Sequence, residues 1–176
     1  VPRINIDNAN IDRINDSIRE LYIPRVIEIV TTSRVNTRFS VEYVAYLNND
    51  ILSIVIRSSL TRGTEPQRVM IHTFNVDLET NQLLTLEDLM GRKSLNRQDV
   101  QRAITEIITE QARIQEAKAQ IVYEQGLSLF LIDPDDAMYN VDNVDTFFIG
   151  EHGHLYIVFA YGNIHQTSAF DLVIVH

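Results

Sequence analysis

"FSVEYVAYLNNDILSIVIRSSL", residues 39–60, decides the fold. Phe39, Val41, Tyr43, Ala45 and Leu47 alternate with mostly polar neighbours, the period of two that turns one face of a strand toward a core. Asn48, Asn49 and Asp50 then supply turn chemistry, because Asn and Asp tolerate left-handed backbone and bond to their own main chain. Leu52, Ile54 and Ile56 restart the alternation, so the stretch is a hairpin. "QRVMIHTFNV", residues 67–76, adds a third strand with Met70, His72, Phe74 and Val76 on one face. Strands joined by short turns pair antiparallel.

Toward the N-terminus, "IDNANIDRINDSIRELY" (6–22) reads as a helix. Asp7 or Asn8 can cap it, and Ile11, Ile14, Ile18, Leu21 and Tyr22 recur at helical spacing. Pro24 lacks the backbone donor and should kink or restart the helix, with "PRVIEIVTTSR" (24–34) continuing it for a turn or two. Past the third strand, Asp77 to Gln82 form a tight turn. Thr85 with Asp88 three positions on makes a capping box for a short helical turn that Gly91 would close. A second long helix is predicted from about Arg97 to about Tyr123, with Val100, Ala103, Ile104, Ile107 and Ile108 on its apolar face. Residues 126–150 hold a short apolar run, an acidic loop and a strand. "HLYIVFA" (154–160) and "FDLVIVH" (170–176) are strands about the loop "YGNIHQTSA" (161–169). The sum is one α+β domain over 1–176: an antiparallel sheet built from hairpins, with two main helices packed on one face.

Bulk numbers exclude several function classes. A formal net charge of −9 argues against nucleic acid, which needs concentrated Lys and Arg, and suits a cationic partner. No Cys is present, so disulfides, thiolate catalysis and Cys-based metal sites are excluded. No stretch approaches the roughly 20 apolar residues of a membrane helix. "VPRINIDNAN" has no initiator Met, and the chain is read as a fragment of a longer protein.

Three constellations could carry chemistry. "GEHGH" (150–154) sets His152 and His154 two apart beside Glu151. On a strand such a pair shares a face and can chelate a metal, with His165 or His176 as a third ligand, as in a metal-dependent hydrolase. Its place between two apolar runs, with Gly153, favours a wetted hairpin turn, so no metal is assigned. His72 reads as a packed sheet residue. The acidic loop fails as an EF-hand: counted from Asp133, position 5 is Ala137 and position 6 Met138, where an oxygen ligand and Gly belong. Glu106 and Glu110 lie one helical turn apart on the face opposite the apolar stripe, where little would raise a carboxyl for acid–base work. No nucleophile elbow and no phosphate-binding glycine loop occurs. No catalytic residue or cofactor is therefore assigned.

The stretch "HTFNVDLETNQLLTLEDLM" (72–90) has a strand ending in Phe74, Asp77 and Leu78, then a turn, then Leu84, Thr85, Leu86, Asp88 and Leu89. It resembles the RsiV-like extracytoplasmic domain, a family of unknown function found in lysozyme-sensing anti-sigma factors, beside polysaccharide deacetylase domains and in Gram-positive surface proteins. The opening "VPRINIDNANIDRINDSI" is similar to that family's N-terminus, a Pro-x-Ile strand and a helix with an "IN" pair. "TFFIGEHGHLYIVFAYGNIHQTSAFDLVIV" (146–175) resembles its closing hairpin. The loop "RSSLTRGTEPQR" (57–68) departs from the family's Gly-rich loop and keeps only Gly63. The resemblance implies an α+β domain without catalytic residues. It implies a binding or sensor role at the cell surface, toward a basic protein such as lysozyme or toward cell-wall glycan. The contact surface is expected on the loops "TRGTEPQR" and "YGNIHQTS", with Arg62, Glu65, Tyr161, Asn163 and His165 as the residues of interest. A structural spacer is the remaining reading.

Overall fold

A computed structural model describes residues 1–32, 36–123 and 131–176. Most of the apolar run at 126–132 lies outside the described residues. Helix α1 spans Ala9–Thr32, followed by strands β1 (Thr37–Asn48), β2 (Ile51–Arg62), β3 (Arg68–Asp77) and the two-residue β4 (Gln82–Leu83). Helices α2 (Leu86–Arg92) and α3 (Arg97–Tyr123) come next, then β5 (Phe147–Ile149), β6 (Leu155–Ala160) and β7 (Phe170–Val175). The class is α+β and every strand pair is antiparallel. The strands divide between two sheets, ordered β1-β2-β3-β4 and β5-β6-β7.

The expected hairpin forms with Asn48 opposite Ile51, and Asn49 takes the left-handed conformation at φ 53°. One face of β2 and β3, carrying Ile54, Ile56 and Val76, packs on Ile11, Ile14, Ile18 and Tyr22 of α1. The opposite face, through Val69 and Ile71, packs on Phe148, Val158 and Ala160 of the second sheet. The far face of that sheet buries Ile149, Leu155, Ile157, Phe159, Val173 and Val175 against Val100, Ile104 and Ile108 of α3. The order is thus helix, sheet, sheet, helix, and each long helix covers a sheet of its own.

Polar residues join the two sheets. Strand β5 has only β6 as a neighbour, so its outer edge would leave peptide groups unsatisfied in the interior. Thr73 Oγ1 accepts from the Phe147 N–H at 3.0 Å, Asn75 Nδ2 donates to the Phe147 carbonyl at 2.8 Å, and Ser53 Oγ accepts from the Ile149 N–H at 3.1 Å. Side chains of one sheet here replace a missing strand of the other.

Several local expectations are revised. Leu21 is exposed, since the face of α1 that meets the sheet turns through Ile18 to Tyr22. Tyr43 and Leu47 are exposed too, because β1 is an edge strand and α1 covers only its Phe39–Val41 end. Helix α1 runs through Pro24 to Thr32. Pro24 cannot donate to the Glu20 carbonyl, but both residues are exposed and water can take the donor's place. Asn8 accepts from the Asn10 N–H at 2.8 Å and caps the start. The capping box at Thr85 and Asp88 is present, whereas Gly91 lies inside α2 and Lys93 ends it. No strand forms at Pro2–Ile4. Asn15 instead clamps Ile4, donating to its carbonyl at 2.9 Å and accepting from its N–H at 2.8 Å.

Candidate functional site

Loops 61–68 and 161–168, far apart in sequence, meet at one end of the sheets. Strand β3 pairs with β4 only at Val76 and Asp77, which leaves the rest of its outer edge open. The second loop fills that gap. Asn163 Nδ2 donates to the Ile71 carbonyl at 2.8 Å while its Oδ1 accepts from the Ile71 N–H at 2.9 Å. The Val69 N–H donates to the Thr167 carbonyl at 2.9 Å. Arg68 reaches across with Nε on the Gly162 carbonyl at 2.6 Å and Nη2 on the Asn163 carbonyl at 3.0 Å. Gln166 Nε2 donates to the Pro66 carbonyl at 3.3 Å. At Gly162 a Cβ would stand 1.7 Å from the Val69 carbonyl oxygen, so this approach needs glycine.

The five residues of interest fare differently. Glu65 and His165 are exposed. Arg62 is half-buried and pairs with Glu28 at 3.4 Å. The side chain of Asn163 is spent on Ile71, so its place on a contact surface is corrected to a role in holding the loop. Tyr161 is corrected as well: it is a core residue, 2% exposed. Leu155, Ile157, Phe159 and Tyr161 continue one period-two series, and that series was the sequence signal that Tyr161 still faces α3. Its hydroxyl donates to Asp171 and so accepts from Tyr139, 2.6 Å away. Burial pushes the Asp171 carboxyl above its ordinary value, and the Tyr161 hydrogen bond opposes that rise in part. Sequence reasoning missed this chain because its three members lie on different elements.

The histidine pair sits in the expected hairpin turn between β5 and β6, with left-handed His152 and Gly153. His176 comes to His154, Nδ1 to Nδ1, at 3.3 Å, while the rings of His152 and His154 are 6.3 Å apart. His165 lies in the 161–168 loop instead. The acidic loop is explained by capping: Asp133 accepts from the Asp135 N–H at 3.1 Å and Asp136 from the Met138 N–H at 2.9 Å. Glu110 is tied to Arg113 at 2.7 Å.

Asp50, Asp77 and Glu79 form a cluster with cation-binding spacing. Arg92 already bridges Asp50 and Asp77, so a guanidinium supplies the positive charge there. Burial alone would raise the Asp77 carboxyl. Hydrogen bonds from Thr80, from the backbone of Glu79 and Thr80, and from Arg92 outweigh it and hold the group at about 2.

The sequence matches no family model and no curated protein. In fold the chain is similar to a DUF3298 family protein from Pseudomonas aeruginosa PAO1, with a TM-score of 0.59 and 10% identity over 94% of this chain and 74% of that one. A DUF3298 family member from Bacteroides fragilis aligns over 98% of this chain and 67% of its own, at a TM-score of 0.45 and 13% identity. DUF3298 is a family of unknown function, and the likeness to the Pseudomonas protein is one of fold. No helix among the described residues is long and apolar enough to cross a membrane.

Proposed function

We propose that this chain is a non-catalytic, extracytoplasmic binding or sensor domain of the RsiV-like kind, displayed at a bacterial cell surface, with the paired loops as its contact surface. The carrying observation is the fixing of loop 161–168 on β3 by Arg68 and Asn163. A loop held by hydrogen bonds before a partner arrives loses less conformational entropy on binding, and such surfaces change little between free and bound states. Among the five residues of interest, Glu65 and His165 present exposed side chains on this surface, with Arg62 at its margin. The partner class follows from the net charge of −9: a basic protein such as lysozyme is drawn in by the field of the whole molecule, and cell-wall glycan is the other ligand of interest.

Calorimetry against lysozyme and soluble cell-wall fragments tests this. Binding to one of them is expected, weakened about tenfold by Glu65→Lys and by His165→Ala, a loss of about 1.4 kcal/mol. Circular dichroism of the variants should be unchanged. Heat-free titrations with every ligand would refute the reading. The alternative is a metal-dependent hydrolase using His152 and His154, with His176, which comes to His154, as the third ligand. Stoichiometric zinc in the purified protein that disappears in His154→Ala would establish that alternative instead.

A further inference from the structure

A small pocket of about 240 Å³ opens where α1 leaves the face of the first sheet, and Tyr22, Arg25, Ser58, Arg68 and His72 are among its lining residues. Three observations make it more than a gap. Ser58 is fully buried, and its Oγ has no hydrogen-bond partner among the described residues, although buried hydroxyls are nearly always satisfied. Arg68 is fixed by the Gly162 and Asn163 carbonyls, which position a guanidinium without neutralising it. Of the two lining arginines, Arg25 has Glu28 at 3.6 Å, a carboxylate it shares with Arg62 at 3.4 Å, and Arg68 has no carboxylate within ion-pair distance among the described residues. Two guanidiniums therefore line the pocket of a chain of net charge −9, with Glu28 beside Arg25 and the charge of Asp145 felt at His72.

We infer that this pocket binds a small oxyanion, a carboxylate or phosphate group, through the Ser58 hydroxyl and the guanidiniums of Arg25 and Arg68. Guanidinium forks match both groups in shape and charge. The volume equals about eight waters at roughly 30 Å³ each, room for phosphate, acetate or a single sugar acid. His72 suits the role. Its Nδ1 lies 3.0 Å from the Tyr22 hydroxyl, and with the phenol donating, the ring proton resides on Nε2 as one further donor. Burial lowers the His72 pKa against the opposing pull of Asp145, so the ring needs no counter-ion of its own.

The test is a titration of the ¹⁵N-labelled protein with inorganic phosphate, acetate and glucuronate, with chloride as the charge control. Saturable shifts at the Tyr22, Ser58 and His72 amides are expected with at least one oxyanion and not with chloride. Response to phosphate alone assigns a phosphate ligand; response to acetate and glucuronate alone assigns a carboxylate. Ser58→Ala should weaken binding about tenfold, the size of a lost charge-assisted hydrogen bond, and should raise the melting temperature because it removes an unsatisfied buried hydroxyl. Arg25→Gln should weaken binding without moving the loop amides at 161–168. Absence of saturation by all three oxyanions, undiminished binding in both variants, or a lower melting temperature in Ser58→Ala would overturn the inference.

Discussion

Gly162 and Asp77 show how much of the architecture rests on single atoms. With a Cβ at position 162 and the Val69 carbonyl 1.7 Å away, one chain must move. Gly162→Ala is expected to cost about 1–3 kcal/mol, the range for overpacking a tight contact, and to speed exchange of the Val69 and Ile71 amides. Equal urea midpoints for wild type and variant would contradict that. Asp77 governs behaviour in acid. Its carboxyl titrates at about 2 against an ordinary 3.8, so the stability it lends is full above about 3.8 and is lost as the pH falls from there toward 2. Arg92→Met removes one of its donors and also unpairs Asp50. The variant should therefore denature at lower urea at pH 7, with its acid transition beginning at higher pH. The gap between the two proteins should close below pH 2. A gap that persists there would place the effect on packing of the Arg92 stem.

At the scale of elements, each sequence pattern was legible where one physical rule dominated. The hairpin of β1 and β2, the capping box of α2 and the Val100–Ile104–Ile108 stripe of α3 follow from period and cap chemistry, which act over a few residues. The edges were not legible. Tyr43 and Leu47 carry the pattern of a covered strand, yet they lie on the edge strand beyond the Phe39–Val41 end that α1 covers, and both are exposed. Conversely, Asn163 reads as a wet loop residue, yet it completes the hydrogen bonding of β3 from 92 residues away. Such long-range substitution of a side chain for a strand leaves no local signature. Asn163→Ala should strand both the N–H and the carbonyl of Ile71, a loss of about 1–3 kcal/mol. Asn163→Asp should keep the bond from the N–H and lose the one to the carbonyl, falling between the two. Urea denaturation followed by tyrosine fluorescence gives the order, and an Asp variant less stable than the Ala variant would argue against the strand-like role.

For the whole molecule, charge and layering lead to separate expectations. If the net charge of −9 steers a basic partner, association should slow about tenfold or more between roughly 0.02 and 0.3 M salt, as the screening length shrinks, while dissociation changes little. A flat association rate would assign any affinity to contacts alone. Layering is where polar residues misled the reading of the strands: Ser53, Thr73 and Asn75 alternate with apolar neighbours as a solvent face would. Their side chains instead carry the hydrogen bonds that β5 lacks, so a polar seam joins the two sheets beside the apolar contact of Val69 and Ile71 with Phe148, Val158 and Ala160. A seam of this kind decides whether the molecule unfolds once or in halves. Asn75 is its hub, taking a hydrogen bond from Ser53 at 2.7 Å and giving one to Phe147 at 2.8 Å. Asn75→Ala leaves the Ser53 O–H without its acceptor and the part-buried Phe147 carbonyl without this donor, which should cost about 1–3 kcal/mol. The loss should show first as faster exchange at Phe147 and Ile149, ahead of any change in β2. With the seam intact, unfolding followed by circular dichroism and by tyrosine fluorescence should coincide; in Asn75→Ala the two curves should separate. Coincident curves in the variant would mean that the apolar contact of Phe148, Val69 and Val158 couples the sheets unaided.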